Sequence, residues 1–399
     1  MYLRASGART SFGALAVFAL LAAGQVAHAH GNSYNPGHGK EYGKDHGKYQ
    51  HDQPNQPTPK GPIVLERMGS LYAGGTVLKA PGTWDPTAPN PFGAPAGQTL
   101  HADHVYAQYK IPAGSKKTLP LVMWHGCLSP SWETTPDGRE GYESIFVRRG
   151  WQTYIIDWPR TGRSGKSSVG VTINPGYSEL ASWNAWRLGV WPGFFPNSKF
   201  PNDPASLDHF FREGGTNNGP GDNAVSVAAV SALFDKTGPA VLITHSASGV
   251  LGFLTAIKNP KVKAVVAYEP NDGPFPAGEV PAPIPNAAGA LTTFQEVSQA
   301  DFKKLTKIPI HVFFGDYIPT SPDPTNIARD TWRVRLEGLR LFVDAINRHG
   351  GDATLTVLPE IGIRGNSHFS FTDKNNVQIA DLLSDWLHRK RLDKEKSGR

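Results

Sequence analysis

The stretch Val241–Leu254, VLITHSASGVLGFL, sets two serines and a histidine in a bend between a strand-like apolar run and a helix-like one. A bend that only reverses the chain is more often built from Gly, Asn or Asp. A serine there has a chemical use. A tight strand-to-helix turn lifts the hydroxyl above the sheet edge, and the following helix start aims free N–H groups at an anion forming beside it. Such a turn needs small residues two before and two after the nucleophile. Centred on Ser246 these are Thr244 and Ser248, with Gly249 next; centred on Ser248 they are Ser246 and the bulkier Val250. The pattern selects Ser246, although Thr and Ser stand where Gly is usual, and a helix N-cap is the plainer use of such a serine.

A serine hydroxyl becomes a nucleophile only with a base, and the base needs an orienting acid. On an elbow of this kind the order along the chain is serine, acid, histidine. His368, in EIGIRGNSHFSFTDKNN, falls between the last expected strand and the last helix and supplies the base. The later His388 lies beside Arg389 and Lys390 and reads as a solvated helix residue. Two carboxylates compete for the acid. Asp316 ends HVFFGD, but the usual position three beyond the glycine is Ile318. Glu269 closes VVAYEP, where a carboxylate after an apolar run is costly without a role. The residues favour Glu269, with Asp316 as the alternative and otherwise a loop-fixing group. The oxyanion needs backbone N–H groups from Ala247 and from the WHGCLS turn, at Cys127 or Leu128. Cys127 as a rival nucleophile lacks an elbow. DWPRTGRSG has no P-loop pattern, and neither a dinucleotide-binding GxGxxG nor an HExxH pair occurs, so no cofactor or metal is expected.

These groups must be carried by a scaffold. Thr118–Gly126, Trp151–Pro159, Ala240–Ser246, Val262–Pro270, Ile308–Asp316 and Ala353–Glu360 read as strands buried on both faces. Trp332, Leu336, Leu339, Val343 and Ile346 recur at helical spacing, as do Val377, Ala380, Leu383 and Trp386. Strands alternating with helices imply a doubly wound, mostly parallel α/β sheet. Leu71–Lys79 and His104–Ile111 are expected as antiparallel edge strands before it. Residues 172–222, crowded with Trp, Phe, Pro and Gly, and residues 271–304 follow strand ends, where ligands bind in open α/β sheets. Both are expected as cap insertions over a site, with some of their aromatics serving only as packing.

The chain of 399 residues carries a formal charge of +6, with its basic residues dispersed. No Lys/Arg run is interleaved with aromatics, so no nucleic-acid partner is indicated. Arg4 and Arg9 precede FGALAVFALLAAG, and Ala27 and Ala29 follow at small-residue spacing, which predicts a signal peptide over 1–29. The apolar run falls short of the ~20 residues a membrane span needs, so the expectation is a secreted or periplasmic protein. Residues 30–62 are almost free of aliphatic side chains and are expected to form a disordered tether. Its His30, His38, His46 and His51 match no defined metal-site spacing. The globular domain is expected over 63–392, before a charged tail at 393–399. The single cysteine, Cys127, cannot form a disulfide within the chain.

The string WHGCLSPSWETTPDGREGYESIFVRRGWQTYIIDWPRTGRSG resembles a family of secreted bacterial and fungal α/β-hydrolase esterases with a WETTPDGREG signature after the third strand. ITHSASG, AYEPN, GNSHFSFTDKNNVQIADLLSDWL and the WRLG…PGFFPNSKFP stretch fit the same family, so the resemblance covers roughly residues 65–390. It implies an α/β-hydrolase fold and cofactor-free hydrolysis of carboxylic esters without fixing the substrate, and the expected partner is a small-molecule ester. It also implies an acid after the sixth strand as Glu, which is Glu269 here. Relatives often carry THSQSG; Ala247 replaces that Gln, so only the backbone N–H carries over. Lactone opening or C–C hydrolysis on the same triad, and a binding protein without turnover, are the alternative readings.

Overall fold

The computed structural model describes residues 61–89, 96–126, 129–170, 179–214 and 218–395. The expected signal peptide and nearly all of the tether, Cys127, Leu128, 171–178, 215–217 and 396–399 lie outside the described residues. The centre is an eight-stranded sheet: β1 (Leu65–Ala73), β2 (Val105–Pro112), β3 (Leu121–His125), β4 (Thr153–Asp157), β5 (Ala240–His245), β6 (Val262–Tyr268), β7 (Pro309–Phe314) and β8 (Asp352–Val357). Its spatial order is β1-β2-β4-β3-β5-β6-β7-β8. β1 and β2 are antiparallel to each other, and β2 is antiparallel to β4; every other pair is parallel. This is the doubly wound α/β arrangement the sequence predicts.

The expected edge strand Leu71–Lys79 is two strands instead. The chain breaks at Gly74 and Gly75, both at positive φ (63° and 98°), a conformation only glycine adopts freely. β1 therefore ends at Ala73, and Thr76–Lys79 pairs separately with Thr99–Ala102.

The central strands β3 to β7 are buried on both faces because their side chains alternate between two apolar layers, whereas the edge strand β1 is largely exposed. On β3 and β5, Val122, Trp124 and Leu242 face one layer, and Leu121, Met123, Val241 and Ile243 face the other. The first layer is covered by α4 (Asn223–Thr237), α5 (Ser248–Lys258) and α7 (Ile327–Arg348) through Val230, Leu251, Phe253 and Phe342. The second is covered by α1 (Tyr142–Arg148) and α8 (Asn376–Arg389) through Phe146, Ile379, Leu383 and Trp386. Each fully buried aliphatic or aromatic side chain contributes roughly 1.5–3 kcal/mol. The α8 stripe differs by one position from its expected form: Val377 is exposed, and Ile379 and Leu387 complete the buried face.

Strand order reverses between β3 and β5, which makes the crevice above their carboxyl ends a switch point for ligand binding. Around it lie α2 (Glu179–Ala185) and α3 (Pro204–Arg212). Asp203 accepts from Ser206 N at 3.0 Å to start α3, with Pro204 at its first position. Trp183, Phe200 and Phe210 of this aromatic stretch are buried packing residues. Of 271–304, Phe275 and Phe302, the latter on the helix α6 (Gln299–Leu305), join the first core layer.

Candidate active site

At the end of β5 the chain turns sharply and Ser246 sits at φ 57°, a left-handed conformation that costs a non-glycine residue roughly 1–3 kcal/mol. Neighbouring strands hold it there. Ser246 N donates to Tyr268 O at 3.0 Å, the last residue of β6. One strand further on the device repeats: Glu269 has φ 47°, and its N–H donates to Phe313 O at 2.8 Å. Consecutive strand ends thus lift a serine and a carboxylate above the same sheet edge.

Ser248 is separated from Ser246 by what its hydroxyl does. It is fully buried, donates to Trp124 O at 2.6 Å and accepts from His245 N at 3.0 Å, stapling β3 to β5. Ser246 is only half-buried. The Thr244 flank is accommodated because α5 opposes it with Gly252, where a Cβ would lie 2.6 Å from Thr244 Cγ2. Ala247 N opens α5 beside the turn that ends β3. A Cβ on Gly126 would lie 2.9 Å from that nitrogen, so glycine is what lets the two turns meet. Cys127, the second expected oxyanion contributor, lies outside the described residues.

His368 is brought to Glu269, and Asp316 is not. His368 Nδ1 donates to Glu269 Oε2 at 2.7 Å, with both side chains almost wholly buried. Glu269 Oε1 accepts from Gly315 N at 2.7 Å and from Arg187 Nη2. Asp316 instead accepts from Tyr317 N and Gly365 N at 2.7 and 2.8 Å, fixing the loop after β7. Burial would push the Glu269 carboxyl up, but Arg187 and the His368 hydrogen bond outweigh it and hold the group ionised. Burial drives the His368 imidazole the other way, below its ordinary value, against the pull of Glu269. At neutral pH the site therefore holds a carboxylate beside a neutral imidazole. His368 Nε2 is buried without a hydrogen-bond partner among the described residues, and it is the nitrogen left to take a proton.

Three supports of this site are not singled out by the sequence analysis. First, His245 Nε2 donates to the backbone carbonyl of His368 at 2.9 Å, so its Nδ1 accepts from His125 Nε2, also at 2.9 Å. Burial holds both rings far below the usual histidine range, hence neutral. Their positions, last in the two strands flanking the switch point, are the signal that could have found them. Second, Arg139 of the TTPDGRE string reaches the loop after His368, donating to Asn376 Oδ1 at 2.6 Å and to Thr372 O and Asp373 O at 3.2 Å. Asp373 in turn accepts from Ser367 N and Oγ at 2.8 and 2.9 Å; burial pushes its carboxyl up to about 7 against those hydrogen bonds. Third, Arg187, between α2 and α3, is fully buried against the acid; no local pattern marks it out. Among the described residues, no three His, Cys, Asp or Glu side chains are grouped to hold a metal ion.

A strand-to-helix serine elbow at the switch point of a doubly wound sheet, with a buried Glu–His pair beside it, defines a hydrolase of the α/β-hydrolase fold. The solved structure of a bacterial esterase is similar to this chain at 32% identity and a TM-score of 0.66, covering 84% of this chain and 98% of that one. A probable secreted lipase, phiG, of a fungal species is 26% identical over 315 residues, covering 71% of this chain and 86% of the relative. No family model matches. The chain belongs to the α/β-hydrolase esterase and lipase family and is a carboxylic ester hydrolase.

Proposed function

We propose that this protein is an exported serine esterase that works through an acyl-enzyme. The observation that carries the reading is the buried 2.7 Å His368–Glu269 pair above the same sheet edge as the left-handed Ser246 turn. Ser246 Oγ attacks the ester carbonyl carbon while His368 Nε2 takes its proton. Glu269 holds Nδ1–H, fixes the ring's tautomer and stabilises the imidazolium that forms. The Ala247 N–H, with that of Cys127, receives the oxyanion. His368 then protonates the leaving alcohol, and a water activated by the same nitrogen releases the acid. The signal peptide over 1–29 and the similarity to a probable secreted lipase support export. No helix among the described residues is long and apolar enough to cross a membrane. Residues 30–62 act as a tether, and residues 172–222 and 271–304 as insertions bordering the site.

Hydrolysis of short- and medium-chain p-nitrophenyl esters by wild type and Ser246→Ala tests this. Turnover reduced by about 10,000-fold or more in a folded mutant supports the nucleophile. Equal activity in both proteins rejects it. A lactone panel run alongside separates ester from lactone preference.

A further inference from the structure

We infer that Arg187 is a positioning residue of this triad: borne by the insertion, it fixes the acid in place and makes the insertion a permanent part of the catalytic apparatus. This inference rests on the Ser246–His368–Glu269 reading above.

Residues 185–187 each hold a different part of the site. Ala185 O accepts from Trp332 Nε1 at 2.5 Å, and Trp332 lies against the His368 ring with centroids 4.4 Å apart. Trp186 O accepts from His368 N at 3.1 Å. Arg187 Nη2 donates to Glu269 Oε1, while its Nε donates to Asp316 O at 2.9 Å and its guanidinium lies 5.0 Å from the Trp332 ring centre. Arg187 itself has φ 56° and no exposed surface, so this strained placement is determined by its surroundings.

The division of the Glu269 oxygens gives Arg187 its task. Oε1 is occupied by Arg187 and Gly315 N, and Oε2 is thereby presented to His368 Nδ1. A planar guanidinium fixes a carboxylate's orientation as well as its charge. With Arg187 removed, a carboxylate this deeply buried would take up a proton and cease to stabilise the imidazolium. Lifting residues 179–187 as a lid would have the same result, so substrate must reach Ser246 without displacing this segment.

The other charged and titratable groups near the pair are Asp373 on the His368 loop, Arg335 on α7, Asp272 after β6, neutral His245 on β5, neutral His125 on β3 and Asp316 after β7. All are retained in an Arg187 variant. Loss of the guanidinium therefore raises the Glu269 carboxyl and, by relieving repulsion, the His368 imidazole. Both changes move the acid limb of kcat/KM to higher pH.

The experiment is kcat/KM against pH for wild type, Arg187→Met, Arg187→Lys and Ser246→Ala on one p-nitrophenyl ester, with folding followed by circular dichroism. Arg187→Met is expected to lose about 100-fold near pH 6, with its acid limb shifted up and part of the loss restored by millimolar guanidinium. Arg187→Lys keeps the charge without the fork and is expected to hold the wild-type acid limb at about tenfold lower kcat. An Arg187→Met limb identical to wild type overturns the inference while leaving the triad standing. If Arg187→Met fails to fold, Arg187→Lys decides: wild-type kcat overturns the inference. An active Ser246→Ala overturns the triad reading itself.

Discussion

Ser246 is placed by the central strands of the sheet that carries it, whereas His368 is placed by residues from four distant parts of the chain, on a loop outside the sheet. The elbow needs β5, α5 and the ends of β3 and β6. Its staple, Ser248, ties His245, three residues away on β5, to Trp124 O on β3. The histidine loop is held by Arg139 from the turn after β3, Trp186 from the segment after α2, His245 from β5 and Glu269 from the end of β6. The proposed nucleophile is built into the sheet; the proposed base is assembled on top of it. Damage to the elbow's supports should therefore appear mainly as lost stability, and damage to the loop's supports mainly as lost catalysis.

The largest contrast is between the two carboxylates. Glu269→Gln should reduce kcat by about 1,000-fold, because an amide neither balances the imidazolium nor fixes its tautomer. Asp316→Asn, touching only backbone N–H groups, should cost less than about tenfold. Similar losses in both would contradict the assignment, and steady-state kinetics on one ester suffices.

Next come the two staples. Arg139→Ala frees the backbone at Thr372 and Asp373 and should lower kcat roughly 10- to 100-fold through misplacement of His368. Ser248→Ala leaves Trp124 O and His245 N unpaired in the core and should destabilise the fold by about 1–3 kcal/mol with kcat changed by less than about tenfold. Urea unfolding together with kinetics checks both, and an exchange of the two phenotypes would break the comparison.

The smallest effect is in pH dependence. In the proposed mechanism the neutral imidazole is the active form, and burial lowers the His368 value. The acid limb of kcat/KM in wild type should therefore lie below the ordinary histidine value of about 6.5, with activity lost only as pH falls further. A limb at or above that value would mean that Glu269 dominates burial.

The same contrast explains what could be read from the sequence. Continuous apolar runs such as VLIT and VKAVVAY have one stable use, as doubly covered strands, so the six parallel strands and the fold class were legible. Ser246, Glu269 and His368 could be proposed from the sequence because each follows a strand that announces itself, and the structure pairs the last two. The positions of Arg187 and Arg139 were not, since their partners lie 82 and more than 230 residues away. No local period encodes such a pairing. Arg187 also sits in a Trp- and Phe-rich stretch where a lone arginine looks like a solvated residue. The break of the first edge strand at Gly74–Gly75 was visible as a glycine pair, but the run of apolar residues through it suggested continuity.

The most direct test of the central claim is covalent labelling with a fluorophosphonate, read by intact-protein and peptide mass spectrometry. The expected result is one phosphonyl group per chain, on the peptide containing Ser246, formed slowly in His368→Ala and absent in Ser246→Ala. Labelling of another residue, or labelling undiminished in Ser246→Ala, would contradict it.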